Sequence, residues 1–215
     1  MSLKEFAKKV AFRHTRFGAP HYPFNIEPIQ LAEIIMGIER ALAGRPHSTI
    51  VEVGVARGMT SRLIAEHVML QGYDVDFYCI DTFSSFTSED VDFEVSNRGK
   101  TREELRGFAY NDFEVWKRNF ADIPFVKPTQ ADAGKFDFSS IAPVSFCFLD
   151  VDLYVPTKAV LENLRPHLAP NAVVVVDDVQ DNNQWDGAYQ AFMEYVDEQG
   201  LDHRIAGNKC GIIEF

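Results

Sequence analysis

The sequence predicts an α/β fold, a doubly wound seven-stranded sheet with a C-terminal antiparallel β-hairpin and an N-terminal helical extension. Three observations carry this expectation. From Thr49 onward, short apolar runs alternate with stretches of helical period, the pattern of parallel strands joined by crossover helices. The run NAVVVVDD, residues 171–178, is apolar over most of its length, as a strand covered on both faces must be. The chain then ends in HRIAG and CGIIEF, two short strand-like runs around Asn208 and Lys209, which predict a hairpin rather than a further crossover.

The elements follow in order. Leu3 to Arg13 is a basic, amphipathic helix. Ile26 to Ala43 carries Ile29, Ala32, Ile35, Ile38 and Leu42 at helical spacing. Between them GAPHYPFN is a loop by its Gly and Pro content, and its His21 and Tyr22 could fold over a site. TIVEVG is the first strand, Gly58 to Leu70 a helix, and VDFYCID the second strand. Thr82 to Lys100 is polar and without clear period, a long loop that is either a lid bearing Phe83, Phe86 and Phe93 or a surface insertion. Thr101 to Phe120 reads as a helix, IPFVKPTQ as the third strand and PVSFCFLD as the fourth. Helices over Pro156 to Leu168 and Asp186 to Gln199 flank the fifth strand. The predicted division is a helical extension or lid over residues 1–45 and one α/β domain over 46–215.

A length of 215 residues with 46% hydrophobic content suits one sizeable core. The net charge of −11 argues against nucleic acid as a partner, since a phosphate backbone needs a basic stripe. No apolar run approaches membrane-spanning length, and the N-terminus lacks the apolar region of a signal peptide. Cys79, Cys147 and Cys210 sit in apolar runs without zinc-ligand spacing, which predicts buried, reduced thiols and a cytoplasmic protein. Oligomeric state stays open; the N-terminal helices could cover the site or pack on a second subunit of a homo-oligomer.

The first strand–helix turn reads Glu52-Val-Gly54-Val-Ala-Arg-Gly58-Met. A dinucleotide fingerprint would place glycines at 54, 56 and 59, but Ala56 and Met59 stand there. The acidic start, E-x-G-x-x-x-G, resembles the S-adenosylmethionine loop, with an ordinary strand–helix turn as the plainer alternative. Thr60 and Ser61 follow on the helix. Asp81, ahead of Thr82, ends the second strand, where a carboxylate accepts hydrogen bonds from ribose hydroxyls or caps its own loop. Asp132 and Ala133 follow the third strand, at the adenine edge of such a fold, where a capping aspartate is also common. The expected cofactor-binding set is thus Glu52, Gly54, Gly58, Thr60, Ser61, Asp81, Thr82, Asp132, Ala133 and Asp150.

Carboxylate clusters end the fourth and fifth strands: Asp150 with Asp152, and Asp177 with Asp178. Neighbouring parallel strands deliver these ends to one edge. Acids gathered there repel unless some are protonated or a cation lies between them. Oxygen donors of this kind suit a hard divalent metal. Taken singly, a solvated strand end accounts for Asp177 and Asp178 and a helix cap for Asp150 and Asp152; together, with Tyr154, Thr157 and Lys158 at fixed offsets, they point to a site.

The run D-x-D-L-Y-x-x-T-K from Asp150 to Lys158, followed by a buried strand ending VVVDD, resembles the macrocin O-methyltransferase family. The resemblance spans about Thr49 to Phe215 and includes EVGVARG, the D-T-F after the second strand and G-A-Y-Q-A-F in the last helix. It implies a class I, Rossmann-like methyltransferase that moves a methyl group from S-adenosylmethionine to a hydroxyl of a small molecule, such as a natural-product sugar. It also implies Mg2+ or another divalent cation held by Asp150, Asp177 and Asp178, with Asp152 as general base. Val151, Pro156 and Val179 replace the family's usual Gly, Ser and Tyr, which leaves the acceptor open. A catechol-type acceptor, a nicotinamide-dependent oxidoreductase and a non-catalytic nucleoside binder are the competing expectations.

Overall fold

The computed structural model describes residues 2–18, 22–24 and 26–215; His21 lies outside them. Two helices come first, α1 (Leu3–His14) and α2 (Pro28–Leu42). Then follow β1 (Ser48–Val53), α3 (Met59–Gln71), β2 (Val75–Asp81), α4 (Ser88–Asn97), α5 (Phe113–Asn119) and β3 (Val126–Gln130). The second half holds β4 (Val144–Leu149), α6 (Tyr154–Leu164), β5 (Leu168–Val176), α7 (Asp186–Gln199), β6 (His203–Ala206) and β7 (Cys210–Glu214). All seven strands form one sheet in the order β3-β2-β1-β4-β5-β7-β6. The pairs among β1 to β5 are parallel, while β7 is antiparallel to both β5 and β6. The predicted sheet and its terminal hairpin are therefore present.

Strand alternation sends side chains to two cores. On β4, Phe146 and Phe148 join one cluster, and Cys147 and Leu149 the other. On β5, Val173 and Val175 part from Val174 and Val176 in the same way. Both faces are covered, which explains why β5 has no polar alternation. Ile34, Ile38 and Leu42 of α2 belong to the first core, whereas α1 buries no residue. The three cysteines are buried and free. No helix among the described residues is long and apolar enough to cross a membrane.

The expectations fail in three places. Thr82 to Lys100 is not a continuous loop but holds α4. Thr87 caps it by accepting from Asp90 N at 3.2 Å, with Glu89 and Asp90 favourably placed in the first turn. The hydrophobic period is weak because its buried residue is a glutamate, Glu94, only 1% exposed. Thr101 to Phe120 is helical only in its last part. Phe108 takes a φ of 59°, and Asp112 opens α5 anew by accepting from Val115 N at 2.8 Å. The helix expected over Pro156 to Leu168 instead starts at Tyr154 and tightens into a 3-10 turn at Arg165–His167, leaving Leu168 to β5.

Candidate active site

β1, β4 and β5 end in register. Val53 pairs with Leu149, and Leu149 with Val176. The next residues, Gly54, Asp150 and Asp177, therefore stand in one row. Asp150 N donates to Val53 O at 2.8 Å and Asp177 N to Leu149 O at 2.9 Å. This row lies where the strand order reverses, the crevice in which open α/β sheets bind ligands.

Gly54 has a φ of +83°, and a Cβ there would lie 1.8 Å from the Asp150 carbonyl oxygen. Only glycine permits β1 and β4 to approach so closely. Gly58, at φ +82°, is excluded from larger side chains by Phe120 and Trp116, so its demand comes from packing α5 beneath the turn. Asp81 fastens the turn from β2: Oδ2 accepts from Val55 N at 2.8 Å and Ala56 N at 3.3 Å, and Oδ1 from Phe83 N at 2.6 Å. Asp132 accepts from Gly134 N at 3.1 Å and pairs with Lys135 at 3.0 Å, so it also caps its loop.

One cleft gathers most of these residues. Gly54, Asp81, Thr82, Asp132 and Ala133 line it together with Asp150, Asp152, Asp177 and Asp178. An adjoining recess is lined by Glu52, Gly54, Thr60 and Tyr110. Gly58 and Ser61 line neither, and Ser61 is fully buried on α3. Glu52 is 1% exposed and its Oε2 has no hydrogen-bond partner among the described residues. Burial pushes its carboxyl up to about 8, with the Asp81 charge adding to the shift.

Oxygens of Asp150, Asp177 and Asp178 all lie within 4.8 Å of one another. This spacing and the hard oxygen donors fit a divalent cation. Burial holds Asp150 well above the usual carboxylate range, and the charges of Asp177, Asp152 and Asp178 push it further. Asp152 is raised by burial and then by Asp178, and Asp177 likewise, against the opposing pull of Lys209. Asp177 Oδ1 accepts from Asp178 N at 2.6 Å, from the Gln30 amide of α2 and from the Lys209 ammonium at 3.0 Å. Lys209 also reaches Asp178 Oδ1 at 2.6 Å. Burial opposes the charge on Lys209, but the two carboxylates outweigh it and raise its pKa.

Asp152 is held in an unusual conformation, with φ +63°. A non-glycine residue there costs about 1–3 kcal/mol and persists only where its surroundings enforce it. Asp152 O accepts from Ala188 N at 3.2 Å, fixing one side to α7. On the other side Tyr154 N donates to Glu94 Oε1 at 2.7 Å. Glu94 also takes Arg98 Nε at 2.8 Å, and Arg98 and Lys100 both pair with Asp186. The segment 82–100 is thus locked against the turn that carries Asp152.

Aromatic side chains complete the cleft. Phe86, Phe108 and Trp185 line it, with Phe86 5.5 Å from Phe108 and 5.6 Å from Trp185 between ring centroids. Phe83 instead enters the core against Phe113 and Trp116, and Phe93 stacks on Tyr154 at 5.3 Å. Lys158 does not face the acids; it pairs with Glu194 and Glu198 of α7. Gln30, Lys209 and Glu94 escaped the sequence analysis. Only Glu94 had a local signal, the Thr87-x-x-Asp90 cap that begins its helix.

A parallel sheet with a reversed last-inserted strand, a glycine turn after β1 and an acid at the end of β2 define a class I methyltransferase, the S-adenosylmethionine-dependent kind. A family model described as "Methyltransferase domain" matches residues 51–179, more than half of the chain, and the protein belongs to that family. This sets aside the nicotinamide-dependent alternative. No curated protein matches the sequence. Among solved structures, CalS11, described as a calicheamicin methyltransferase, aligns with a TM-score of 0.70 at 16% identity, covering 100% of this chain and 86% of that one. Its apo form, described as a TDP-rhamnose 3'-O-methyltransferase, aligns at 0.62 and 17%, covering 100% and 87%. The O-methyltransferase NovP aligns at 0.68 and 18%, covering 96% and 87%. At such identities the likeness is one of fold.

Proposed function

We propose that this chain is an O-methyltransferase of small molecules, resembling the macrocin O-methyltransferase family in its site chemistry. The observation that carries it is the placement of Asp152 beside Asp150, Asp177 and Asp178 in the cleft that Gly54 and Asp81 also line. The acceptor is a hydroxyl of a natural-product sugar or a similar diol. The sugar-directed description of CalS11 supports this choice. A catechol is the second reading, favoured by the aromatic lining of Phe86, Phe108 and Trp185.

Bound S-adenosylmethionine supplies an electrophilic methyl group. Gly54 and Thr60 would face its amino-acid part, Asp81 and Thr82 its ribose, and Asp132 and Ala133 its adenine edge. Glu52 and Asp150 would offer carboxyl groups at the sulfur end, while Gly58 and Ser61 support the turn from behind. Asp150, Asp177 and Asp178 would hold Mg2+ or another divalent cation, whose chemistry is to acidify and orient a hydroxyl. Asp152 takes the hydroxyl proton as general base. For that it must be ionised, which burial opposes and neighbouring positive charge favours.

We read residues 1–45 as a helical extension that braces the site's acids and 46–215 as the methyltransferase domain. Gln30, which reaches Asp177 from α2, supports this role. The three buried free thiols support a cytoplasmic setting. Titration calorimetry with S-adenosylhomocysteine, with and without Mg2+, and with NAD+ as control tests the proposal. Adenosyl-ligand binding without NAD+ binding is expected; the reverse pattern sinks it.

A further inference from the structure

Lys209 holds an unusual place. It sits in the turn between β6 and β7, yet its ammonium reaches across to Asp177 and Asp178. Both acids belong to the oxygen cluster that would hold a divalent cation. The turn beneath it is firmly seated. Val179 N donates to Lys209 O at 2.8 Å, and Asn208 Nδ2 reaches Glu27 Oε1 at 3.1 Å. Gly207 packs so tightly on Ile29 that a Cβ would lie 2.4 Å from its Cγ2.

We propose that Lys209 is a tethered counter-cation that competes with the divalent cation for Asp177 and Asp178. This rests on the metal-binding reading given above. An ammonium and a divalent cation sharing the same carboxylate oxygens would sit within a few ångströms and repel. The seated turn keeps the backbone in place, but the four-carbon stem lets the ammonium swing into the cleft or away from it. Without metal, Lys209 keeps the buried acids from forcing one another apart. With metal, it must leave those oxygens, so it weakens cation affinity below what the acids alone would set.

The sign of one measurement separates competition from scaffolding. A residue that merely held the acids together would weaken metal binding when removed; a competitor strengthens it. Mn2+ binding to wild type, Lys209→Met and Lys209→Arg is measured by calorimetry, with S-adenosylhomocysteine binding as the check on folding. Lys209→Gln replaces the Met variant if the latter does not fold. We expect roughly tenfold or tighter Mn2+ binding in the neutral variant and near-wild-type affinity in Lys209→Arg. Equal or weaker binding in the neutral variant overturns the competition while leaving the metal site standing. No Mn2+ binding in any of the proteins overturns the metal reading itself, and the competition with it.

Discussion

Two groups of acids meet at the turn that carries Asp152, and they are built on opposite principles. Glu94 and Asp186 meet Arg98 and Lys100 in a fixed network, with Glu94 also taking the Tyr154 N–H. Among the described residues, Asp150, Asp152, Asp177 and Asp178 have a single ammonium near them, that of Lys209. The first group is nearly balanced in charge and needs nothing further. In the second the acids outnumber the positive charge beside them, and burial raises the carboxyls of Asp150, Asp152 and Asp177. A structural network can be complete in the folded chain, whereas a site that receives a cation is incomplete until the cation arrives.

The sharpest way to break this contrast is to neutralise one acid in each group. Asp152→Asn should lower turnover by about 10²- to 10⁴-fold, the usual worth of a general base. Its S-adenosylhomocysteine affinity should stay near wild type; wild-type turnover would remove Asp152 from its role. Glu94→Ala should act on stability, because it leaves the Tyr154 N–H without its acceptor and Arg98 with Asp186 alone. Breaking one side of a buried pair costs about 3–5 kcal/mol, to be read from urea unfolding. A loss under about 1 kcal/mol would show that the network is not held as described.

Glu52 offers a third, intermediate test. Its carboxyl is pushed up from 4.5 to about 8, so the fold holds a proton there that the unfolded chain releases. Stability from this group is complete below pH 4.5, falls as pH rises, and is lost above about 8. Each pKa unit is worth about 1.4 kcal/mol. Glu52→Gln should flatten that fall, seen as a smaller difference in unfolding free energy between about pH 5 and about pH 9. Asp150, Asp152 and Asp177 are raised as well and leave a residual slope of the same sign. An unchanged slope would mean that Glu52 is ionised in the fold. The smallest effect belongs to Lys158→Ala, whose ion pairs to Glu194 and Glu198 lie near the surface. It should cost no more than about 1 kcal/mol and leave turnover intact, since it points away from the acids.

The same contrast explains what was legible in the sequence. β4 and β5 announced themselves because strands buried on both faces must be apolar throughout, and the acids stood out against them. The hairpin was readable from two short runs around Asn208 and Lys209. α4 was not, because its buried face is made by Glu94, and a hydrophobic period cannot register a buried charge. Phe108 was hidden in the same way: its positive φ interrupts a stretch whose composition suits a helix. Gln30 and Lys209 lie 147 and 31 or more residues from the acids they touch, and no local pattern encodes such contacts.

The seating of β7 also dictates an order of events as the chain is made. Asp150, Asp152, Asp177 and Asp178 are synthesised before Lys209, and β5 before the strand that covers its edge. Until β7 inserts between β5 and β6, Asp177 and Asp178 lack their ammonium partner and the valines of β5 keep an open backbone edge. Closing the sheet and delivering the ammonium are one step, because Lys209 directly precedes β7. Assembly of the cleft is thereby tied to the last strand laid down.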